Sequence, residues 1–100
     1  MDVNKQIRMA VKTGKVEFGS KGAMSSVNSA KAKLVILANN CPESQRENIM
    51  YNAEQSGVPV YVFPGSSLDL GALCDKPFPV STLVVKEHGD SEVLKLAENK

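Results

Sequence analysis

The chain has 100 residues, 42% of them hydrophobic, and a formal net charge of +1. That length supports one compact core and not two independent ones, so a single domain over residues 1–100 is expected. No apolar run approaches the roughly 20 residues needed to cross a bilayer. The polar start Met-Asp-Val-Asn-Lys-Gln lacks the apolar segment of a secretory signal, which points to a cytoplasmic protein without a membrane partner.

Asp2 is a predicted N-cap for a first helix whose Val3, Ile7, Ala10 and Val11 share one side, with Lys5, Arg8 and Lys12 on the solvent side and Gly14 at the exit. Val16 to Phe18 reads as a brief strand between Gly14 and Gly19. Ser20 then caps a second helix with the apolar stripe Ala23, Met24, Val27 and Ala30. From about Lys33, the unbroken run Leu34-Val35-Ile36-Leu37 suits a central strand covered on both faces. Asn39 and Asn40 stop it, and Pro42 carries a φ suited to opening a helix.

That third helix places Ile49, Met50 and Ala53 inward and stops at Gly57, with Glu43 and Glu47 near its positive end. Val58 to Phe63 is the next strand, and strand, helix, strand over residues 34 to 63 predicts a parallel βαβ unit. Pro64-Gly65 turns into a short helix from Ser67 to Leu73, capped by Ser66 or Ser67. A stiff loop, Asp75-Lys76-Pro77-Phe78-Pro79, precedes a last strand from Val80 to Lys86. After Gly89-Asp90 a final amphipathic helix, Ser91 to Glu98, carries Val93, Leu94 and Ala97. The expected architecture is α/β: a three-layer α/β/α sandwich with a four-stranded mixed sheet.

Charge is segregated along the chain. Residues 1 to 33 carry Lys5, Arg8, Lys12, Lys15, Lys21, Lys31 and Lys33 against Asp2 and Glu17, a pattern shared by polyanion binders and by solvated helix faces. Gly19-Ser20-Lys21-Gly22 joins a strand to a helix N-terminus, where unpaired N–H groups favour phosphate. It is neither a nucleotide P-loop nor a KH Gly-x-x-Gly, which joins two helices. An ordinary capped turn remains the alternative. In open α/β sheets the loop after a central strand is a usual ligand site, which makes Asn39 and Asn40 candidates, with a local Asx turn as the structural alternative for Asn40. Phe78, held between prolines, is expected to be exposed and able to stack on an unpaired base, with a ring folded back onto the core as the structural alternative.

Cys41 and Cys74 lack metal-ligand spacing, His88 stands alone, and no disulfide framework, metal site or cofactor site is suggested. Cys41 and Arg46 have four residues between them where a cysteine phosphatase loop has five, and Pro42 removes one N–H from the would-be cradle. A small phosphate-handling enzyme is therefore the weaker reading, although a lowered thiol pKa at a helix start is expected in any case.

Taken together, Thr13-Gly14-Lys15, Gly19-Ser20-Lys21, Ala32 to Ala38 with Asn40-Cys41-Pro42, Gly57 to Tyr61, Leu70-Gly71 and Lys76-Pro77-Phe78 resemble, almost end to end, one family. It is the archaeal and eukaryotic large-subunit ribosomal protein L-thirty-e family, within the wider group that binds kink-turn RNA, and the short chain looks more archaeal than eukaryotic. The resemblance implies a non-enzymatic protein, monomeric when free, whose partners are large-subunit rRNA and the ribosomal subunit. It implies RNA contacts from three loops, Gly19 to Gly22, Asn39 to Arg46 and Pro77 to Ser81, naming Gly19, Ser20, Lys21, Gly22, Asn39, Asn40, Pro42, Arg46, Phe78, Pro79 and Val80. Gly22 departs from the pattern, since relatives often carry a longer polar or basic side chain there. A kink-turn binder outside the ribosome, in a modification particle or as a regulator, is the alternative.

Overall fold

The computed structural model describes residues 2–29 and 31–97. In chain order it contains α1 (Val3–Thr13), β1 (Lys15–Phe18), α2 (Ser20–Asn28), β2 (Leu34–Ala38), α3 (Glu43–Ser56), β3 (Val60–Phe63), α4 (Ser67–Leu73), β4 (Thr82–Glu87) and a closing 3-10 turn, Val93–Ala97. The sheet order is β1-β4-β2-β3. β4 is antiparallel to both β1 and β2, whereas β2 and β3 are parallel, so the predicted mixed sheet and βαβ unit are present.

β2 explains the three layers. All five of its residues are buried. Successive side chains of a strand point to opposite faces. Leu34, Ile36 and Ala38 accordingly pack with Ile7, Ala10, Leu70, Leu73 and Val93, while Val35 and Leu37 pack with Ala23, Val27, Ile49 and Ala53. α1, α4 and the closing turn thus cover one face of the sheet, and α2 and α3 cover the other. A run without alternation is what two apolar faces demand of a central strand.

The ends of elements differ from the sequence reading for local reasons. α2 is capped by Gly19, not by Ser20, which is its first helical residue. β3 begins at Val60 and not at Val58, because the Val58 N–H closes the end of α3 on the Ala53 carbonyl, and Pro59 has no N–H to offer a ladder. β4 begins at Thr82: the Val80 N–H is taken by the Ser67 carbonyl at 2.9 Å. The final amphipathic helix is a 3-10 turn over Val93–Ala97. Val93 and Leu96 are both buried, and the eclipsed i, i+3 positions of a 3-10 turn place them together. Ala30, assigned to the stripe of α2, and Glu98, assigned to the last helix, lie outside the described residues, as does the Ala97 side chain.

Other local signals hold. Asp2 accepts the Lys5 N–H, Gly57 ends α3 in the left-handed region with φ 71°, and Ser66 forms a reciprocal capping box with Asp69.

Candidate nucleic-acid interface

Because β1, β2 and β3 run one way and β4 runs against them, the carboxyl ends of the first three meet the amino end of β4 on one rim. Backbone bonds tie the emerging loops together. Gly19 N donates to Thr82 O at 3.0 Å, Ala38 N to Ser81 O at 2.9 Å, and Asn39 N to Gly65 O at 2.9 Å. Ser67 N donates to Asn40 Oδ1 at 2.7 Å. The loops holding Gly19–Gly22, Asn39–Pro42 and Phe78–Pro79 therefore form one surface, joined by the Pro64–Ser66 turn.

At its first corner, Gly19 has φ 99° and ψ 157°, a conformation that suits glycine, and it offers no side chain to cap α2. The first N–H groups of α2 are therefore available to an acceptor from outside. Lys21 is the second residue of this helix; the side chains of Ser20 and Lys21 lie outside the described atoms. Gly22 lies against the Glu17 side chain: a Cβ there would stand 2.9 Å from Glu17 Oε2, so a larger residue would have to displace that carboxylate. That carboxylate accepts from Ser26 Oγ at 3.0 Å and from the Lys86 ammonium, and the Lys86 bond above all holds the Glu17 pKa below its ordinary value.

The second loop exposes Asn39, Asn40 and Pro42. Asn40 is not a local Asx turn, since its Oδ1 reaches 27 residues along the chain to hold the first N–H of α4. Only its oxygen is spent in this bond. Arg46, half-buried in the first turn of α3, lines a cleft of about 310 Å³ with Cys41, Glu43, Glu47 and Met50. The lowered thiol pKa expected at a helix start is not found. Burial pushes the Cys41 pKa up, outweighing the Thr82 hydrogen bond and the Arg46 charge, so the thiol is held protonated and is a poor nucleophile.

At the third corner Phe78 is 49% exposed, between the exposed Pro77 and Pro79. Its backbone lies against α4 at Gly71, where a Cβ would meet the Phe78 carbonyl at 2.2 Å. A ring folded into the core is thus excluded. Val80, in contrast, is only 2% exposed and joins the core, so its side chain positions the loop and cannot form part of an exposed contact surface. Sequence reasoning also missed two features of this rim. Lys76 Nζ sits 5.0 Å from the Phe18 ring centroid, and Leu68, at 67% exposure, follows the Asn40-held residue Ser67. The charge beside Phe78 in Lys76-Pro77-Phe78 was a legible signal; the placement of Leu68 needed the tertiary bond.

Of the six lysines of the first third, Lys21 opens α2 at this rim, but four others do not reach it. Lys12 ends α1, Lys15 begins β1, and Lys31 and Lys33 lead into β2, all at the opposite end of the sheet. There Lys15 meets Glu87 at 3.8 Å, both widely exposed. The charge of the first third is therefore divided between the two ends of the sheet.

Residues 1–95 match the ribosomal protein L7Ae/L30e/S12e/Gadd45 family. The chain belongs to this family. It is 49% identical over 100 residues to large ribosomal subunit protein eL30 of Methanocaldococcus jannaschii, covering 100% of this chain and 91% of that protein. It is 45% identical over 96 residues to eL30 of Methanothermobacter thermautotrophicus, covering 96% and 98%. It is 41% identical over 99 residues to eL30 of Pyrobaculum islandicum, covering 99% and 98%. These relatives are named as ribosomal subunit proteins and not as enzymes, in agreement with the non-catalytic reading. A solved protein of unknown function from Bacillus halodurans C shares the fold at a TM-score of 0.85 and 19% identity, covering 99% of this chain and 98% of that one.

Proposed function

We propose that this chain is an RNA-binding structural constituent of the large ribosomal subunit that recognises a kink-turn or a similar bent internal loop in rRNA. The observation that carries the reading is the single rim on which three hydrogen-bonded loops present a helix start at Gly19, exposed amides at Asn39 and Asn40, and the exposed ring of Phe78. Sequence-specific RNA recognition targets bases that are not stacked in a duplex, and it uses aromatic rings and amides in this way. Phosphate contacts position the RNA, and base contacts select it. In this scheme Gly19 to Gly22 face the backbone with Lys21 as the mobile charge, Asn40 Nδ2 and Asn39 meet base edges, Pro42 and Pro79 shape the loops, Arg46 adds a flanking charge, and Phe78 stacks.

The family membership and the relatives named as large-subunit proteins support the ribosomal setting. One RNA-binding domain over residues 1–100, monomeric when free and working in the cytoplasm without membrane contact, completes the proposal. Sequencing of RNA crosslinked to the protein in cells tests it. The expected reads centre on one bent internal loop of large-subunit rRNA, with the protein adduct at or beside Phe78. Reads confined to a non-ribosomal RNA, with no co-sedimentation with the large subunit, would favour a kink-turn binder outside the ribosome.

A further inference from the structure

Beside the loop rim, between α1 and α4, lies an open cleft of about 480 Å³ whose lining includes Asn4, Arg8, Phe63, Pro64, Gly65 and Leu73. Asn4 and Arg8 are four apart on α1 and so share a helix face. Both are exposed. Among the described residues Arg8 forms no ion pair, although Asp69 lines the same cleft: the Asp69 carboxylate accepts from the Ser66 N–H at 3.0 Å and the Ser66 hydroxyl at 3.1 Å. The rest of the lining is largely apolar: the exposed Pro64 and Ala72, with only the edges of the nearly buried Phe63 and Leu73. The cleft adjoins the rim, since Gly65 lines it and the Gly65 carbonyl accepts the Asn39 N–H.

We propose that this cleft receives an unstacked nucleotide of the same RNA. It has an apolar wall for a base face, a planar guanidinium for stacking or a bidentate edge contact, and an amide carrying both donor and acceptor. The nearby Asp69 charge disfavours a phosphate in the cleft and favours the base. This inference rests on the RNA reading of the loop rim, and it extends that surface from the sheet end onto α1. It also gives a use to the one arginine of the basic first third, which the opposite rim does not hold.

The test uses the full chain and a hairpin RNA carrying a kink-turn, with 2-aminopurine placed in turn at each unpaired position. Arg8→Ala should weaken binding by about 5- to 150-fold, the range of a good base contact. It should also abolish the fluorescence change that the parent protein produces at one unpaired 2-aminopurine position. Arg8→Lys should recover little, because a point charge does not reproduce the planar fork. Both substitutions are on an exposed helix face and should leave the melting temperature unchanged. Unchanged affinity in Arg8→Ala, or full recovery in Arg8→Lys, overturns the proposal; the latter makes Arg8 a simple backbone charge. If Phe78→Ala weakens binding and Arg8→Ala does not, only the cleft falls. If Arg8→Ala weakens binding and Phe78→Ala does not, the cleft stands and the ring loses its role. Failure of the parent chain to bind the hairpin overturns both.

Discussion

The two ends of the sheet are built from the same strands yet differ in what they present. At the loop rim, backbone bonds between distant loops hold glycine, asparagine and proline residues and leave an aromatic ring uncovered. At the other end stand Lys12, Lys15, Lys31 and Lys33, with Lys15 facing Glu87. A long-range field from clustered lysines is therefore not what distinguishes the candidate site; fixed shape and placed groups are. Such a surface suits a bent RNA, whose recognition depends on geometry, better than a regular duplex, whose nonspecific binding depends mainly on phosphate charge.

The most severe way to break this difference is to disturb the loop rim without touching an exposed side chain. Gly71→Ala puts a methyl against the Phe78 carbonyl, a backbone group that cannot rotate aside. Overpacking of this kind costs about 1 to 3 kcal/mol, against about 1 kcal/mol that alanine returns over glycine in a helix. Chemical denaturation should show a net loss of stability, and RNA titration of the folded fraction should show weaker binding because the Phe78 loop has moved. Retained affinity would mean that the loop position is not critical. Phe78→Ala separates the ring from the loop: affinity should fall by about 1 to 3 kcal/mol while melting changes little, and Phe78→Tyr should largely restore binding.

Asn40→Ala should produce a mixed result. Loss of the bond to the Ser67 N–H should lower stability by about 1 kcal/mol, as for other lost helix caps. A further loss of affinity, measured at matched folding, would assign the remaining amide to RNA; stability loss alone would make Asn40 a brace for α4. Lys21→Ala should reduce the slope of log affinity against log salt by roughly one ion's worth. Lys12→Gln together with Lys33→Gln, at the opposite end, should leave that slope within error. A larger slope change from this pair than from Lys21 would reverse the assignment of the two rims.

Much of this architecture was legible because local chemistry and packing agree. Leu34 to Leu37 had no polar position, which announced a strand with two covered faces; Gly57, Ser66 and Asp2 announced helix ends through their own geometry. Phe78 could be placed outside the core because flanking prolines left it no strand face to complete. What failed depended on distant partners. Val80 was read as the start of the last strand, but its N–H is claimed by the Ser67 carbonyl, and Asn40 was weighed as a local turn because its true partner lies 27 residues away. The basic first third left two readings open for a related reason: helix and strand directions send Lys12 and Lys15 to one end of the sheet and Lys21 to the other.

The smallest expected effect sharpens the same difference by asking whether the charge pair between the two ends of the sheet has a structural task. Glu17 accepts from Lys86 and Ser26, and these bonds hold its pKa below the ordinary 4.5. A carboxyl whose folded pKa is depressed stabilises the fold above its unfolded pKa and loses that contribution as pH falls through the folded value. Melting temperatures of the parent and of Glu17→Gln, measured from pH 7 down to pH 2, should therefore differ at neutral pH and converge in acid, once the parent carboxyl is protonated as well. The pair is partly exposed, so added salt should narrow the neutral-pH gap. Parallel curves through the acid range would show that the ion pair is only a solvated contact. Convergence would instead show that Lys86 braces β1 against β4 and is not a spare charge for RNA, which leaves recognition to the shaped rim.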